Sequence, residues 1–315
     1  MPLAGRQPVN AVIAIEGPTG AGKTALAVAL AATLPVEVVN ADSRQIYRGM
    51  DIGTAKPSAE ERAAVPHHLL DIVAPDETLT LAQYQARATA AINDIHAQNK
   101  LVLLVGGTGQ YITAVLEGWR APEVAPNEAL RLELEAYAAA HGPLALFERL
   151  RMLDLQAAQQ MDPYNVRRTI RALEVCLSTG QPFSAQRRKE APDFPALAVA
   201  LTMDRELLYQ RLDARIERMM ANGLLEEVRA LHEHGYDWHL PSMSALGYAQ
   251  LGSYLRGECS LEEAVSAIKR ETRSFVRRQY TWFRRHGAPH WLETPEPQIV
   301  QHLIEDWLAG LRGVT

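Results

Sequence analysis

The sequence predicts an α/β fold with a parallel-sheet core, an inserted all-helical subdomain and a helical C-terminal region. Three observations support this prediction. A glycine-rich loop separates an apolar run from an alanine-rich stretch, short apolar runs alternate with helical segments over the first 120 residues, and strand-like runs disappear after Trp119. Alternating strands and helices are typical of a parallel sheet that is covered on both faces.

The core is predicted to begin with a strand at residues 11–16 and a helix at 23–34, because a β-branched run precedes a stretch of strong helix formers. Further strands are predicted at 36–40 and 101–105, and a helix at 81–99 lies between them. The strands read as continuous apolar runs, as expected for strands buried on both faces.

The predicted domain boundaries divide the chain into residues 1–121, 122–193 and 194–315. The middle segment is the helical insertion, since about seventy residues there lack strand-like runs. A strand pattern at 197–202 then returns the chain to the sheet. The third segment therefore combines a core strand with the helical C-terminal region.

Residues that are typical of helix ends indicate where the helices lie. In the insertion, helices are predicted at 127–141 and 166–179, each followed by glycine. An apolar stripe predicts another at 207–219, with arginines along a neighbouring face. Ser260 and Glu263 fit a capping box that opens a long basic helix.

Composition narrows the class of protein. The chain has 315 residues, of which 47% are hydrophobic and 22% charged, so long disorder and fibrous repeats are excluded. Cys176 and Cys259 cannot supply a disulfide framework or a four-thiolate zinc site, and they suit a reducing compartment. No apolar stretch approaches the roughly 18 residues that span a bilayer. We therefore expect a cytoplasmic protein with no membrane partner.

The charge is unevenly distributed. The formal net charge of −5 gives no overall footprint for nucleic acid. Residues 269–285, however, hold seven basic side chains and one acid, Glu271, which is a local charge of +6. This segment suits phosphate groups, and the solvated face of a surface helix is the alternative.

Residues 17–24, GPTGAGKT, match the phosphate-loop pattern in full and lie between a predicted strand and a predicted helix, as that pattern requires. The core is therefore P-loop NTPase-like. Loop amides, the helix N-terminus and Lys23 hold phosphates, and the Thr24 hydroxyl can ligate Mg²⁺. The candidate diphosphate-binding residues are Gly17, Pro18, Thr19, Gly20, Ala21, Gly22, Lys23 and Thr24.

The ligand of this loop is constrained by the residues after the strand at 101–105. Enzymes that split ATP or GTP usually hold Mg²⁺ with an acidic residue at the end of a second core strand. Here the strand runs into Gly106, Gly107 and Thr108. Nucleotide hydrolysis is thereby disfavoured and pyrophosphate becomes a candidate leaving group. A P-loop small-molecule or nucleotide kinase stays open as the alternative.

Asp42 follows the second predicted strand. Loops at the carboxyl ends of parallel strands line the ligand crevice, so Asp42 is expected near the phosphate loop. A carboxylate there can act as a general base or a magnesium ligand. The alternative is a helix cap or turn residue.

Further motifs come after the phosphate loop in order along the chain. They are DSRQIY at 42–47, MDIGTAKP at 50–57, HHLLD at 67–71, VGGTGQY at 105–111, RTIRALEV at 168–175, LGY at 246–248, RRQ at 277–279 and TWF at 281–283. Together they closely resemble the tRNA dimethylallyltransferase family, the tRNA isopentenyltransferases. The likeness spans nearly the whole chain, and its GTAKP motif after DSxQxY is highly specific.

The resemblance implies transfer of a dimethylallyl group from dimethylallyl diphosphate to the exocyclic amine of the adenosine just 3′ of the tRNA anticodon. The phosphate loop would then hold prenyl diphosphate, with Mg²⁺ as cofactor on Thr24, and the insertion would grip the anticodon stem-loop. Asp42 matches the family's catalytic base, Thr108 an active-site threonine and Arg215 an arginine at the diphosphate. A monomer is expected, and a non-catalytic RNA-binding switch is a further alternative.

The resemblance also implies contacts to tRNA. They involve Asp42, Ser43, Arg44, Gln45, Arg167, Arg168, Arg171, Gly247, Tyr248, Arg277 and Arg278. For the arginines of the insertion, a solvated helix face is the alternative. Arg215 has its own alternatives, namely covering apolar surface or pairing with Glu217 or Glu227. His67 and His68 are not expected to bind metal, because no third ligand has suitable spacing.

Overall fold

The computed structural model describes residues 10–120, 122, 124–186, 188–286, 289–293 and 296–312. The chain divides into two compact units. The core unit combines the chain up to Leu116 with the chain from Pro192 onward, and the insertion unit is Glu117–Ala191. The predicted limits of the insertion are 122 and 193. No helix within the described ranges has both the length and the apolar character of a membrane span.

The core unit is built on six strands: β1 Val12–Glu16, β2 Val36–Asn40, β3 His67–His68, β4 Leu101–Val105, β7 Ala196–Thr202 and β8 His290–Glu293. They form one parallel sheet in the order β3-β2-β4-β1-β7-β8. In the insertion unit, the described residues include strands β5 Trp119–Arg120 and β6 Arg188–Lys189. The predicted strands of the core are therefore confirmed.

Helices of the core unit are α1 Lys23–Ala31, α2 Ala59–Ala64, α3 Leu81–Ala97, α4 Gly109–Leu116, α10 Arg205–Ala221, α11 Leu224–Glu233, α12 Tyr248–Leu255, α13 Leu261–Arg285 and α14 Pro297–Arg312. Those of the insertion unit are α5 Glu128–His141, α6 Pro143–Leu153, α7 Leu155–Gln159, α8 Val166–Thr179 and α9 Phe183–Gln186. The predicted capping box at Ser260 and Glu263 opens α13, as expected.

Both faces of the sheet are covered by helices. Alternate residues of β1 point to opposite faces of the sheet, and all of them are buried. Ile13 and Ile15 lie in one apolar cluster with α1 and α14. Val12 and Ala14 lie in another with α3, α4 and Phe283 of α13. The carboxyl ends of β1, β2 and β4 consequently meet at one edge, where the candidate site lies.

A third apolar cluster supports the loops at that edge. Ile216 of α10, Val228 of α11, Leu251 of α12 and Ile268 of α13 pack with Met50 from the segment after β2. The C-terminal helices thus form a wall beside the phosphate loop. The rest of the buried stripe of α10, Leu208 and Leu212, packs in a separate small cluster with Val276 of α13.

Two details of the predicted fold are wrong. The C-terminal region is not wholly helical, since β8 pairs with β7 at the sheet edge. The insertion is not wholly helical either, because β5 and β6 form a short antiparallel ladder. A two-residue strand leaves no periodicity in the sequence, and β8 combines exposed and half-buried residues without a continuous apolar run.

The insertion unit has its own core and a buried ion-pair network. Leu134, Leu146 and Leu173 belong to its apolar cluster. Glu174, whose side chain is fully buried, accepts hydrogen bonds from the backbone N–H of Asn127 and from the Arg131 guanidinium at 2.8 Å each. Burial alone would raise the pKa of Glu174, but these donors and Arg171 together lower the pKa to about 2.

Glu174→Gln is expected to destabilise the insertion unit by about 2–3 kcal/mol, because it removes charge-assisted hydrogen bonds from a buried acceptor. The native pKa lies below the unfolded value, so this stability is present above pH 4.5 and is lost as pH falls toward 2. Chemical denaturation at pH 7 and pH 3 measures both effects. The variant should be less stable at pH 7 and show a flatter pH dependence, whereas parallel curves for the two proteins would contradict the assignment.

Candidate active site

The phosphate loop is already folded into an open cradle. Gly17 has a φ of +133°, and a Cβ atom there would lie 2.5 Å from the Leu201 carbonyl oxygen, so only glycine fits. Lys23 Nζ donates to the carbonyl oxygens of Gly17 at 3.0 Å and Pro18 at 2.8 Å. These bonds hold the ammonium inside the loop, where a phosphate group can replace the carbonyls as its partner.

Two ionisable groups beside this loop have strongly shifted pKa values. Burial lowers the pKa of Lys23 to about 8, although Asp42 opposes the shift. Burial also raises the pKa of Glu16, the last residue of β1, to about 8. Among the described residues Glu16 Oε1 has no hydrogen-bond partner. Glu16 was not among the predicted site residues, because nothing in an apolar strand signals a buried carboxyl group.

Binding of a diphosphate should cause proton uptake near pH 8, because the anion favours the charged form of Lys23. The ratio of the pyrophosphate affinity of the wild type to that of Lys23→Arg is therefore expected to be level below the Lys23 pKa of about 8 and to fall by up to about tenfold per pH unit above it, because the ionisations of pyrophosphate and of Glu16 affect both proteins. Titration calorimetry in two buffers of different ionisation enthalpy measures the uptake. Lys23→Arg stays charged throughout and serves as the control; equal uptake by both proteins would refute the prediction.

Asp42 lies in the loop after β2 and is oriented by its neighbours. Its Oδ1 accepts the Arg44 N–H at 2.9 Å, and its own N–H donates to Asn40 Oδ1 at 3.2 Å. No hydrogen bond to Oδ2 occurs within the part of the chain that the structure describes. Asp42 thus serves as a turn residue through one oxygen and lines the cavity, so the two interpretations of its role are compatible.

Thr108 ties the loop after β4 to the loop after β2. Its hydroxyl oxygen accepts the Ser43 N–H at 2.9 Å and lies 3.2 Å from the Ser43 hydroxyl. Its N–H donates to the Ala41 carbonyl at 3.1 Å. A Cβ atom on Gly106 would lie 2.1 Å from that same carbonyl oxygen, so the close approach of the two loops requires glycine.

Three arginines of α10, Arg211, Arg215 and Arg218, line the cavity above the phosphate loop. Burial lowers the pKa of Arg215, while Asp42 opposes the shift. The acids proposed as its alternative partners are engaged elsewhere: Glu217 pairs with Lys269, and Glu227 accepts backbone N–H groups. Within the described ranges no carboxylate forms an ion pair with Arg215. The guanidinium is therefore available to an anionic ligand.

Two cavities meet at the centre of the site. The first contains the phosphate loop, and the second lies beside Ser43, Thr108 and Gly247. Four residues line both: Thr19, Asp42, Thr54 and Arg215. The second cavity also has an apolar wall, formed by Leu212, Ile216, Met219, Leu224 and Phe275. A charged ligand on one side can therefore meet an aromatic or aliphatic group on the other.

Thr54 was not predicted as a site residue. Its hydroxyl donates to the Met50 carbonyl at 2.6 Å. The preceding turn is held by Glu227, which accepts the backbone N–H groups of Asp51, Ile52 and Gly53 at 2.8–3.1 Å. Membership of Thr54 in the GTAKP motif was the one available signal.

The predicted RNA-contacting residues have different environments. Arg44 lines the second cavity, and Gln45 lines the first while its amide donates to the Thr54 and Ala55 carbonyls at 3.1 Å. Gly247 and Arg278 line the second cavity. Arg277 is exposed on α13, and Arg167 and Arg168 are exposed on α8.

The predicted RNA contact of the Tyr248 side chain requires correction. Tyr248 is fully buried, and its hydroxyl donates to Glu227 at 2.6 Å, so its side chain is not available to RNA. Arg171 is half-buried and bonds Glu174 at 2.6 Å and the Val124 carbonyl at 3.1 Å, and its contact with tRNA stays a prediction. Tyr248 therefore has a structural role that maintains the surface around it.

Comparison with known proteins identifies the class of this site. The sequence profile of the IPP transferase family matches residues 45–286. The chain belongs to the IPP transferase family. The resemblance deduced from the motifs is confirmed, and so are the α/β fold and the assignment to enzymes that prenylate tRNA.

The sequences of known relatives align with this IPP transferase over nearly its whole length. A tRNA dimethylallyltransferase from Roseiflexus castenholzii is 53% identical over 290 residues, which cover 92% of this chain and 95% of the relative. A tRNA dimethylallyltransferase from Roseiflexus sp. is 54% identical over 302 residues, with 94% and 98% covered. Coverage this complete includes both units of the structure.

Solved structures agree with this IPP transferase in fold. The tRNA isopentenylpyrophosphate transferase from Bacillus halodurans has a TM-score of 0.70 and 39% identity, with 96% of each chain covered. A eukaryotic dimethylallyltransferase acting on tRNA has a TM-score of 0.79 and 26% identity, over 95% of this chain and 80% of its own.

Proposed function

We propose that this IPP transferase moves the dimethylallyl group of dimethylallyl diphosphate to N6 of the adenosine on the 3′ side of the tRNA anticodon, with release of pyrophosphate. The junction of the two cavities at Asp42 carries this proposal. On one side lie the phosphate loop and three arginines, and on the other lies a cavity with an apolar wall. A carboxylate is thus placed where a diphosphate ester and a nucleobase can meet.

The adenine amine needs help to react, because its lone pair is delocalised into the ring. As N6 attacks C1 of the prenyl group, the N–C bond forms and the C–O bond to the diphosphate breaks. Asp42 accepts the N6 proton as general base, through the oxygen that Arg44 does not occupy. The target base is stacked in the anticodon loop, so it must be flipped out to reach Asp42.

Charge builds on the diphosphate as the C–O bond breaks. Lys23, the loop amides and Arg215 stabilise that charge from fixed positions, which is the most effective form of electrostatic catalysis. Thr108 holds the loop that carries Ser43 at the junction of the two cavities, because its hydroxyl oxygen accepts the Ser43 N–H. The electron pair of the broken bond leaves with pyrophosphate.

Mg²⁺ fits this cavity. Thr19, Thr24 and Asp42 line it with oxygen atoms, which are the ligands that Mg²⁺ prefers, and Mg²⁺ needs few protein ligands when phosphates and water complete its shell. Thr24 is the proposed ligand. The ion would neutralise part of the diphosphate charge.

The acceptor in this proposal is the tRNA anticodon stem-loop. Ser43, Arg44 and Gln45 would contact the flipped adenosine, since they lie at the two cavities. The remaining proposed contacts to tRNA are Gly247, Arg277 and Arg278 in the core unit and Arg167 and Arg168 in the insertion unit. We also propose that the enzyme works as a cytoplasmic monomer, because the core unit alone supplies the residues of the reaction centre.

The names of the relatives support prenyl transfer and do not support the kinase alternative. The decisive test incubates the purified protein with tRNA, Mg²⁺ and labelled dimethylallyl diphosphate. Label in RNA and stoichiometric pyrophosphate are expected. A parallel reaction with ATP should give no phosphorylated product. Phosphoryl transfer without prenylated RNA would overturn the proposal, and tRNA binding without any product would indicate a non-catalytic RNA-binding protein.

A further inference from the structure

We propose that Gln279 of α13 is a positioning residue that sets the separation of the two substrate cavities. This inference rests on the proposed function. Gln279 Oε1 accepts the Thr19 N–H at 2.9 Å, and Nε2 donates to the Gly107 carbonyl at 2.9 Å. One planar amide therefore bridges the phosphate loop and the loop after β4. The two partners lie 260 and 172 residues away along the chain.

The bridge is rigid because the side chain is buried and both of its ends are occupied. Gln279 is 5% exposed. Its orientation is fixed, since a flipped amide would face the Thr19 N–H with a donor and the Gly107 carbonyl with an acceptor. Gly107 is part of the fit, because a Cβ atom there would lie 2.5 Å from Gln279 Nε2. Among side chains in their usual ionisation states at neutral pH, glutamine alone combines this length with one donor and one acceptor in the same plane.

The two anchored loops belong to different sides of the reaction. Thr19 lines both cavities, while Gly107 and Thr108 line the second cavity alone. Hydrogen bonding to Gln279 thus fixes the distance between a residue of the diphosphate cradle and a residue of the acceptor cavity. Misplacement by about 1 Å can cost about a hundredfold in rate when two substrates must align.

The same helix carries this bridge and two exposed cations. Arg277 and Arg278 immediately precede Gln279, and both are exposed. Helix α13 therefore carries both the arginines proposed to contact RNA and the glutamine that bridges the two loops. Gln279 also lines the second cavity, but its amide oxygen and nitrogen are engaged by Thr19 and Gly107, so its proposed effect acts through these two residues.

A pH titration of Gln279→Glu distinguishes positioning from general packing. The protonated carboxyl group offers one donor and one acceptor and restores both bonds, whereas the carboxylate repels the Gly107 carbonyl. We expect a kcat close to that of the wild type at low pH, and a fall above the pKa of the new carboxyl group that levels off at about a 10- to 100-fold loss once the carboxylate form predominates. Lys23 faces the same glycine, so the diagnostic quantity is the ratio of the variant and wild-type profiles.

Gln279→Met removes both bonds at every pH. We expect kcat to fall about 10- to 100-fold with little change in KM for dimethylallyl diphosphate. Thr281→Ala is the matched control, because Thr281 is exposed on the same helix and its hydroxyl donates to the Arg277 carbonyl one turn earlier. The activity of this variant should equal that of the wild type. Thermal unfolding with and without pyrophosphate reports whether each variant is folded and loaded.

The outcomes separate the two proposals. A wild-type protein that never prenylates tRNA refutes the proposed function. An active wild type, together with a Gln279→Glu profile parallel to the wild-type profile or a Gln279→Met variant of unchanged kcat, refutes the positioning role alone. A loss of activity matched by an equal loss of folded protein would likewise assign Gln279 to packing.

Discussion

Asp42→Asn is expected to lower kcat for prenyl transfer by about 10²- to 10⁴-fold, the usual contribution of a general base. Asparagine retains the oxygen that accepts the Arg44 N–H at 2.9 Å, so the turn after β2 should keep its shape. The variant loses the ability to take the N6 proton. Single-turnover assays with labelled dimethylallyl diphosphate measure the rate, and stabilisation by pyrophosphate shows that the loop still binds its ligand.

Asp76→Asn provides the control for the change in charge. Asp76 is exposed and lines neither cavity, so its substitution should leave the rate unchanged. A fully active Asp42→Asn enzyme would remove Asp42 as the base. Loss of pyrophosphate binding in that variant would instead place Asp42 among the ligand-binding groups.

Arg215→Gln should lower kcat by about 10²- to 10³-fold, because the guanidinium stabilises charge that develops on the leaving diphosphate. Arg215→Lys should have an intermediate effect, since lysine keeps the charge but lacks the planar fork that can bind two oxygens. The matched control is Arg205→Gln, on the first turn of the same helix, where the side chain bonds Tyr209 and lines neither cavity.

Steady-state measurement of kcat and KM checks this prediction. An effect confined to KM would show that Arg215 binds the ground state and the transition state equally. If the Arg205 control lost as much activity as the Arg215 variant, the effect would come from the general charge of α10. In that case Arg215 would have no specific role at the leaving group.

Local signals predicted most of the core. Strands β2 and β4 match their predicted bounds because continuous apolar runs mark strands that are buried on both faces. The phosphate loop and its helix followed from one motif in the right context. Strand β8 was missed because it combines exposed and half-buried residues, and nothing local distinguishes such a segment from a loop.

The residues missed at the site depend on distant partners. Glu227 acts on the turn at Asp51 across 176 residues, and Gln279 acts on Thr19 across 260. A single sequence carries no information about such pairs. Tyr248 was misassigned for a related reason: a motif shows that a residue matters, but not whether its side chain is exposed.

The four hydrogen bonds that converge on Glu227 have a consequence for engineering. They anchor the turn before Thr54 through a carboxylate that is not among the residues lining either cavity, so this turn does not depend on the side chain of Met219 in the apolar wall. Redesign for bulkier prenyl donors should therefore be possible by shortening Met219, a partly buried side chain of that wall, whereas Leu212 packs against Gly20 of the phosphate loop and should be kept. The machinery for proton transfer and departure of the leaving group would stay in register throughout such a redesign.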